Sequence, residues 1–190
     1  MSKSLEALVQ QWQNERPDLD LQALAIAFAV KRLEGLMDVE FRALGQTEGD
    51  LGVGDLRILL ALRRNGMDSP MRPTDLFRSL LITSGAVTKQ VDRLVRKRLV
   101  VRRPDPSYQR GRLIGLTEKG RDVADRTIGA LLSPTSRLGR AFAKLSDKEK
   151  IVGLSFLRAL LAAVESVGIT AEFDADEPKE PVRRGRRAKA

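Results

Sequence analysis

Apolar residues recur at helical spacing along most of this chain and form strand-like runs only near its middle. Leu5, Leu8, Val9 and Trp12 fall at i, i+3, i+4 and i+7, which predicts a helix over residues 4–15. Pro17 stops it, and Asp18 or Asp20 stands where a side chain can cap the next helix. Residues 21–44 predict a long helix whose apolar positions, Leu24, Ala25, Phe28, Ala29, Leu36, Val39 and Ala43, cover two neighbouring faces. A helix that is apolar on more than one side is buried between other elements. Residues 46–54 carry three glycines and read as a connection. A third helix is expected over residues 53–64, on Leu56, Leu59 and Leu60, ended by Asn65-Gly66. Residues 67–71 read as a loop.

The next stretch changes character. Arg72-Pro73-Thr74-Asp75 opens a short helix with proline at its first position, and Leu76, Phe77, Leu80 and Leu81 are its expected buried face. Thr83 caps a second helix whose apolar set is Val87, Val91, Leu94 and Val95. Its opposite face holds Gly85, Ala86, Lys89, Arg93 and Arg96, with Thr88 and Asp92 at the edge. Two helices joined by a turn of about three residues, the second polar outside, make a helix-turn-helix pattern. Residues 99–103 predict a strand, Pro104-Asp105-Pro106 a turn, and residues 112–116 the returning strand. The tip between them, residues 107–111, is polar and basic. Thr117 caps a helix expected over residues 118–132, and Pro134 breaks or kinks the helix beyond it. Ser146-Asp147-Lys148-Glu149 is a capping box. It starts a last helix with Ile151, Leu154, Phe156, Leu157, Leu160, Leu161 and Val164. One surface helix of a small domain needs fewer apolar residues, so a second chain is expected to cover it. Residues 170–190 run from acidic to basic and read as a disordered charged tail.

Charge sharpens this picture. The 190 residues carry a net charge of +9. Residues 89–112 hold nine basic against two acidic side chains, a net +7 over 24 positions. Positive charge gathered on one helix and one hairpin suits a polyanion. The chain has no Cys and no His, which excludes thiol catalysis, disulfides, zinc–thiolate sites and the Ser–His–Asp triad. A carboxylate-only Mg²⁺ or Ca²⁺ site stays open to such a composition, but no D-x-D-x-D-G loop is present, and no metal or cofactor is expected. The remaining candidate acids and bases, carboxylates and lysines, form no pair at fixed, apolar-flanked spacing, so an enzyme is not expected. No apolar run reaches the ~20 residues that span a bilayer, and the N-terminus lacks a secretory signal, so a cytoplasmic protein without membrane contact is expected.

Several motifs in order resemble the MarR family of winged helix-turn-helix regulators, over roughly residues 5–167. They are Asp55-Leu56-Arg57-Ile58-Leu59, Pro73-Thr74-Asp75-Leu76, Ser84-Gly85-Ala86-Val87-Thr88 with Val91-Asp92-Arg93-Leu94, Leu99-Val100-Val101-Arg102, and Leu116-Thr117-Glu118-Lys119-Gly120. Glu15-Arg16-Pro17-Asp18-Leu19-Asp20 resembles a branch with an extra N-terminal helix. The resemblance implies a homodimer made by the terminal helices, a recognition helix in each of two major grooves, and a wing arginine in the flanking minor groove. In many members it also implies a small anionic or phenolic ligand that weakens DNA binding. Two departures stand out. The family's Asp-x-Arg wing motif reads Tyr108-Gln109-Arg110 here, which predicts a looser wing or one held by Asp105 instead. Trp12 matches the urate-responsive members, but Arg57 stands at their Asp position and Gln90 at one of their Arg positions, so urate is not the expected ligand.

The expected fold is mainly α with a small β-wing: dimerisation helices over 1–48 and 123–169 around a winged helix-turn-helix over 49–122. The expected function is a homodimeric repressor or regulator on a pseudo-palindromic double-stranded DNA operator. Thr83, Ser84, Gly85, Ala86, Thr88, Lys89, Arg93, Arg96, Arg110 and Arg112 are the candidate DNA contacts. Trp12, Phe28 and Arg57 are the candidate contacts of a small aromatic or anionic effector. The alternative is a winged-helix module that binds an acidic protein, or DNA architecturally, without ligand response.

Overall fold

The computed structural model describes residues 3–167, with the side chains of residues 3, 4, 109 and 110 outside the description. The tail expected over residues 170–190 therefore lies outside the described residues. Eight helices and one two-stranded antiparallel sheet are described, grouped in two compact units.

The first unit spans residues 1–56 and 126–144. Its helices are α1 (Lys3–Glu15), α2 (Gln22–Thr47) and α7 (Arg137–Ala143). Pro17 ends α1 as expected, and Asp20 Oδ1 accepts the Gln22 N–H at 2.9 Å, so Asp20 serves the start of α2. Asp18 instead takes Arg16 in a two-pronged ion pair. The helix α2 runs further than the glycines suggested, because the chain turns only at Glu48 and packs back on Gly45. The Leu51 N–H donates to the Gly45 carbonyl at 2.8 Å, and a Cβ on Gly45 would lie 1.9 Å from the Leu51 oxygen. Only a glycine permits that approach. Glu48 then accepts two hydrogen bonds from Arg126, at 3.0 and 2.7 Å. Ser136 starts α7 by accepting the Gly139 N–H, after the break at Pro134.

The second unit holds residues 57–125 and the chain from Leu145. It contains most of α3 (Val53–Asn65), α4 (Pro73–Leu80), α5 (Ser84–Arg96), β1 (Val100–Asp105), β2 (Tyr108–Leu116), the first half of α6 (Glu118–Leu132), and α8 (Asp147–Ser166). Its core is Ile58, Leu59, Leu62, Leu76, Phe77, Val87, Val91, Leu94, Leu99, Val100, Ile114 and Leu116, all nearly free of solvent. The i, i+4, i+7 apolar stripe of α5 is thus its buried stripe, and α4 packs on it. Gly66, at φ 107°, ends α3 as its sequence predicts.

Three local expectations need correction. Leu81 is not part of the buried face of α4. It is 57% exposed and closes the helix in the left-handed conformation, φ 52° and ψ 46°. Its N–H still satisfies the carbonyls at the helix end, so the turn geometry overrides the apolar pattern. Residues 67–71 are not wholly a loop, since Met71 pairs with Ile114 by two backbone hydrogen bonds of 2.9 and 2.8 Å. The wing is also tighter than expected. β1 extends to Asp105 and β2 starts at Tyr108, leaving only Pro106 and Ser107 between them. The register runs from Val100↔Leu116 to Pro104↔Arg112 and then shifts, so that Asp105 faces Tyr108.

The capping box at the start of α8 forms: Ser146 Oγ accepts the Glu149 N–H, and Glu149 accepts the Ser146 N–H at 2.8 Å. None of the residues of α8 is buried. Ile151 is 69% exposed, and Val152, Leu154, Phe156, Leu157, Leu161 and Val164 are exposed with it.

Candidate nucleic-acid interface

The outward face of α5 is built by its cap and its apolar stripe together. Thr83 Oγ1 accepts the Ala86 N–H at 3.3 Å and sets the start of the helix. Val87, Val91 and Leu94 fix its rotation by burial, which turns Gly85, Thr88, Lys89, Arg93 and Arg96 outward. All five are exposed, while Ser84 and Ala86 are half-buried beside them. Among the described residues, nothing beyond its chain neighbours and its own helix backbone lies within 4 Å of a Cβ built on Gly85, so the N-terminal end of this face is open. Thr88 donates its hydroxyl to the Ser84 carbonyl at 3.0 Å and presents its methyl and lone pairs. Arg102 of β1 pairs with Asp92 of α5, which ties the recognition helix to the base of the wing and neutralises the acid on this face. Small residues at the helix start with long cations after them are what a helix entering a groove requires.

The wing adds exposed Arg103 and Arg112. The Arg112 Nη1 donates to the Gly111 carbonyl at 3.1 Å. Arg110 lies on β2, and its side chain is outside the described residues. Asp105 is tied to the residue before α4 and to the turn of the wing, through Arg72 and Ser107. Its side chain is only 4% exposed and accepts from Arg72 Nε at 2.8 Å, from the Ser107 N–H at 2.9 Å and from Ser107 Oγ at 2.6 Å. The hydrogen bonds from Ser107, with a smaller contribution from Arg72, hold this carboxyl below its ordinary value.

Arg72 is the residue that sequence reasoning missed. It occupies the N-cap position of α4, where Ser, Thr, Asp or Asn is usual. Asp75 accepts its N–H at 3.3 Å, while its guanidinium is spent on the wing. The unusual residue at a cap, just before a proline, was the one available signal.

The candidate effector residues are divided between the two units. Trp12 lies on α1 at 45% exposure and Phe28 on α2, half-buried, both in the first unit. Arg57 is half-buried on α3 in the second unit. A cavity of about 190 Å³ in the first unit is lined by Leu33, Leu36, Met37, Val39, Glu40 and three residues of α7, not by Trp12 or Phe28. Among the described residues, no group of three or more acids could hold a metal ion. No helix among them is long and apolar enough to cross a membrane.

A support helix, a recognition helix and a two-stranded hairpin in this order define a winged helix-turn-helix protein. A model of the MarR family matches residues 50–111. The HTH-type transcriptional regulator PecS of Dickeya dadantii (strain 3937) is 31% identical over 169 residues, covering 87% of this chain and 96% of that protein. The MarR family regulator Sco5413 of Streptomyces coelicolor shares the fold at a TM-score of 0.63 and 24% identity, over 77% of this chain and 98% of its own. CouR of Rhodococcus jostii RHA1, solved bound to p-coumaroyl-CoA, matches at a TM-score of 0.58 and 24% identity, over 71% and 90%. The chain belongs to the MarR family and is a transcriptional regulator of that family.

Proposed function

We propose that two copies of this chain bind a pseudo-palindromic operator in double-stranded DNA and repress transcription from it. The observation that carries this reading is the outward face of α5, open at Gly85 and continued by Lys89, Arg93 and Arg96 about one turn apart. Thr83, Ser84, Ala86 and Thr88 complete the end that enters the major groove. Arg93 is suited to a bidentate contact with guanine, and Lys89 and Arg96 to phosphates. Arg110 and Arg112 on the wing reach the flanking minor groove. The exposed apolar residues of α8, with Val30, Leu33, Leu36 and Val39 on α2, support a homodimer, because a monomer rarely leaves so much apolar surface in water.

A small aromatic or anionic effector releases the DNA in this reading. Trp12, Phe28 and Arg57 are the residues assigned to it, and the CouR structure with its bound coumaroyl thioester lends support to an aromatic acid derivative. The single Trp reports on it directly: saturable quenching by an aromatic carboxylate, at the concentration that lowers DNA affinity, is the expected result. Quenching without DNA release, or neither, removes the effector from the account.

Selection of duplexes from a random pool at two salt concentrations tests the DNA reading. Enrichment of a pseudo-palindrome is expected at both. Binding that is lost at high salt, with no enriched motif, would reduce the basic face to a non-specific electrostatic footprint.

A further inference from the structure

We propose that Arg72, Asp105 and Ser107 form a clamp that sets the position of the wing, and hence how well the wing engages the minor groove; this rests on the DNA-binding reading above. The three side chains close a ring. Arg72 Nε donates to Asp105 Oδ2 at 2.8 Å, Arg72 Nη2 donates to Ser107 Oγ at 2.7 Å, and Ser107 Oγ donates to Asp105 Oδ1 at 2.6 Å. The Ser107 N–H adds a fourth bond to Asp105 Oδ1 at 2.9 Å. Both carboxylate oxygens are therefore engaged, and the buried acid is matched by a cation.

The ring joins two separate parts of the winged helix-turn-helix. Arg72 is the residue before α4, and its neighbour Met71 is bonded through the backbone to Ile114, two residues from the end of β2. Asp105 ends β1 and Ser107 lies in the turn of the hairpin. The base of the wing is thus fixed at Met71 and its tip at Arg72, so the hairpin is held at two points along its length. The local backbone is prepared for this. Pro104 and Pro106 restrict the conformations on either side of Asp105. A Cβ at Gly111 would lie 2.9 Å from Asp105 Cβ and 2.8 Å from the Tyr108 ring, so the returning strand closes on the clamp only because residue 111 is glycine.

Positioning and simple electrostatics predict opposite signs. Asp105→Ala removes a negative charge from a DNA-facing hairpin, so electrostatics alone would tighten binding. Loss of the clamp weakens it. The ring also predicts coupling: once Asp105 is gone, changing Arg72 to Gln should do little more.

The experiment uses the full-length protein on its selected operator. Guanine N7 methylation reads the major groove and hydroxyl-radical cleavage reads the sugars of the flanking minor groove. For Asp105→Ala and for Ser107→Ala, major-groove protection stays, flanking protection is lost, and affinity falls by about tenfold for the first, the scale of one charge-assisted contact. Because burial makes Asp105 costly to change, Ser107→Ala at an exposed position serves as the variant that keeps the fold, checked by its melting curve. Wild-type flanking protection in Ser107→Ala together with unchanged or tighter binding in Asp105→Ala would overturn the clamp. A wild-type protein that protects only the major grooves would also overturn it, while leaving the DNA reading intact. A wild-type protein that protects neither groove would instead sink the DNA reading on which the clamp rests.

Discussion

Gly120→Ala tests how α6 is seated on the winged helix-turn-helix. A Cβ at this position would lie 1.9 Å from the Leu99 carbonyl oxygen and 2.9 Å from its carbon. The obstacle is backbone, so no side chain can swing aside. That same carbonyl accepts the Thr117 N–H and the Thr117 hydroxyl, both at 3.1 Å, and Thr117 Oγ1 in turn accepts the Gly120 N–H at 3.0 Å. The first turn of α6 must retreat by about 1 Å or more to restore ordinary contact. This strains the hydrogen bonds around Thr117, each worth about 1 kcal/mol, and adds overpacking of about 1–3 kcal/mol. Alanine's better helix propensity offsets up to about 1 kcal/mol. The expected net loss is about 3 kcal/mol, which lowers Tm by about 6–12 °C in a chain of this size. Urea unfolding monitored by circular dichroism measures it. A loss below about 0.5 kcal/mol would refute the reasoning, because it would mean that α6 does not sit against Leu99.

The same geometry carries three further expected outcomes. Leu154→Asp with Leu161→Asp places two charges on the exposed apolar stripe of α8, and light scattering should show the dimer reduced to monomer with operator binding lost; an unchanged mass would move the dimer interface elsewhere. Arg93→Ala should cost about 1–3 kcal/mol of operator affinity and relax the preference at one base pair in each half-site. Unaltered preference in that variant would make Arg93 a phosphate contact. Asp105 has its carboxyl held below the ordinary value, so its contribution is fully present above that value and is lost only as pH falls through the lowered one. Operator affinity should therefore not change through this group between about pH 6 and 8. An Asp105-dependent change in that window would contradict the arrangement described for it.

Most helices were legible because their signals are local. The caps at Thr83, Thr117 and Ser146, the stop at Pro17, and the glycine at 66 each act within one turn, and the structure uses all of them. The apolar stripe of α5 identified its buried side, and with it the outward face of the candidate site. What escaped depends on partners distant in sequence. Met71 forms its bridge to β2 only because Ile114 lies opposite it, 43 positions along. Arg72 reaches a carboxylate 33 residues away, and no periodicity reports that. Leu81 failed for a different reason. Its spacing matched the apolar face, but the helix ends there and its backbone turns left-handed, which carries the side chain out to solvent. A glycine or asparagine would have announced the turn.

The most direct test of a dimer reading adjacent major grooves is helical phasing. Once the pseudo-palindrome is known, affinity is measured with the natural spacing and with about five base pairs, half a helical turn, inserted between the half-sites. The insertion turns the second half-site to the opposite side of the duplex, so binding should drop to the level of a single half-site, and about ten inserted base pairs should not reproduce the natural complex unless the dimer can stretch. Equal affinity across all spacings would contradict the account, since it would mean that each chain reads its half-site alone.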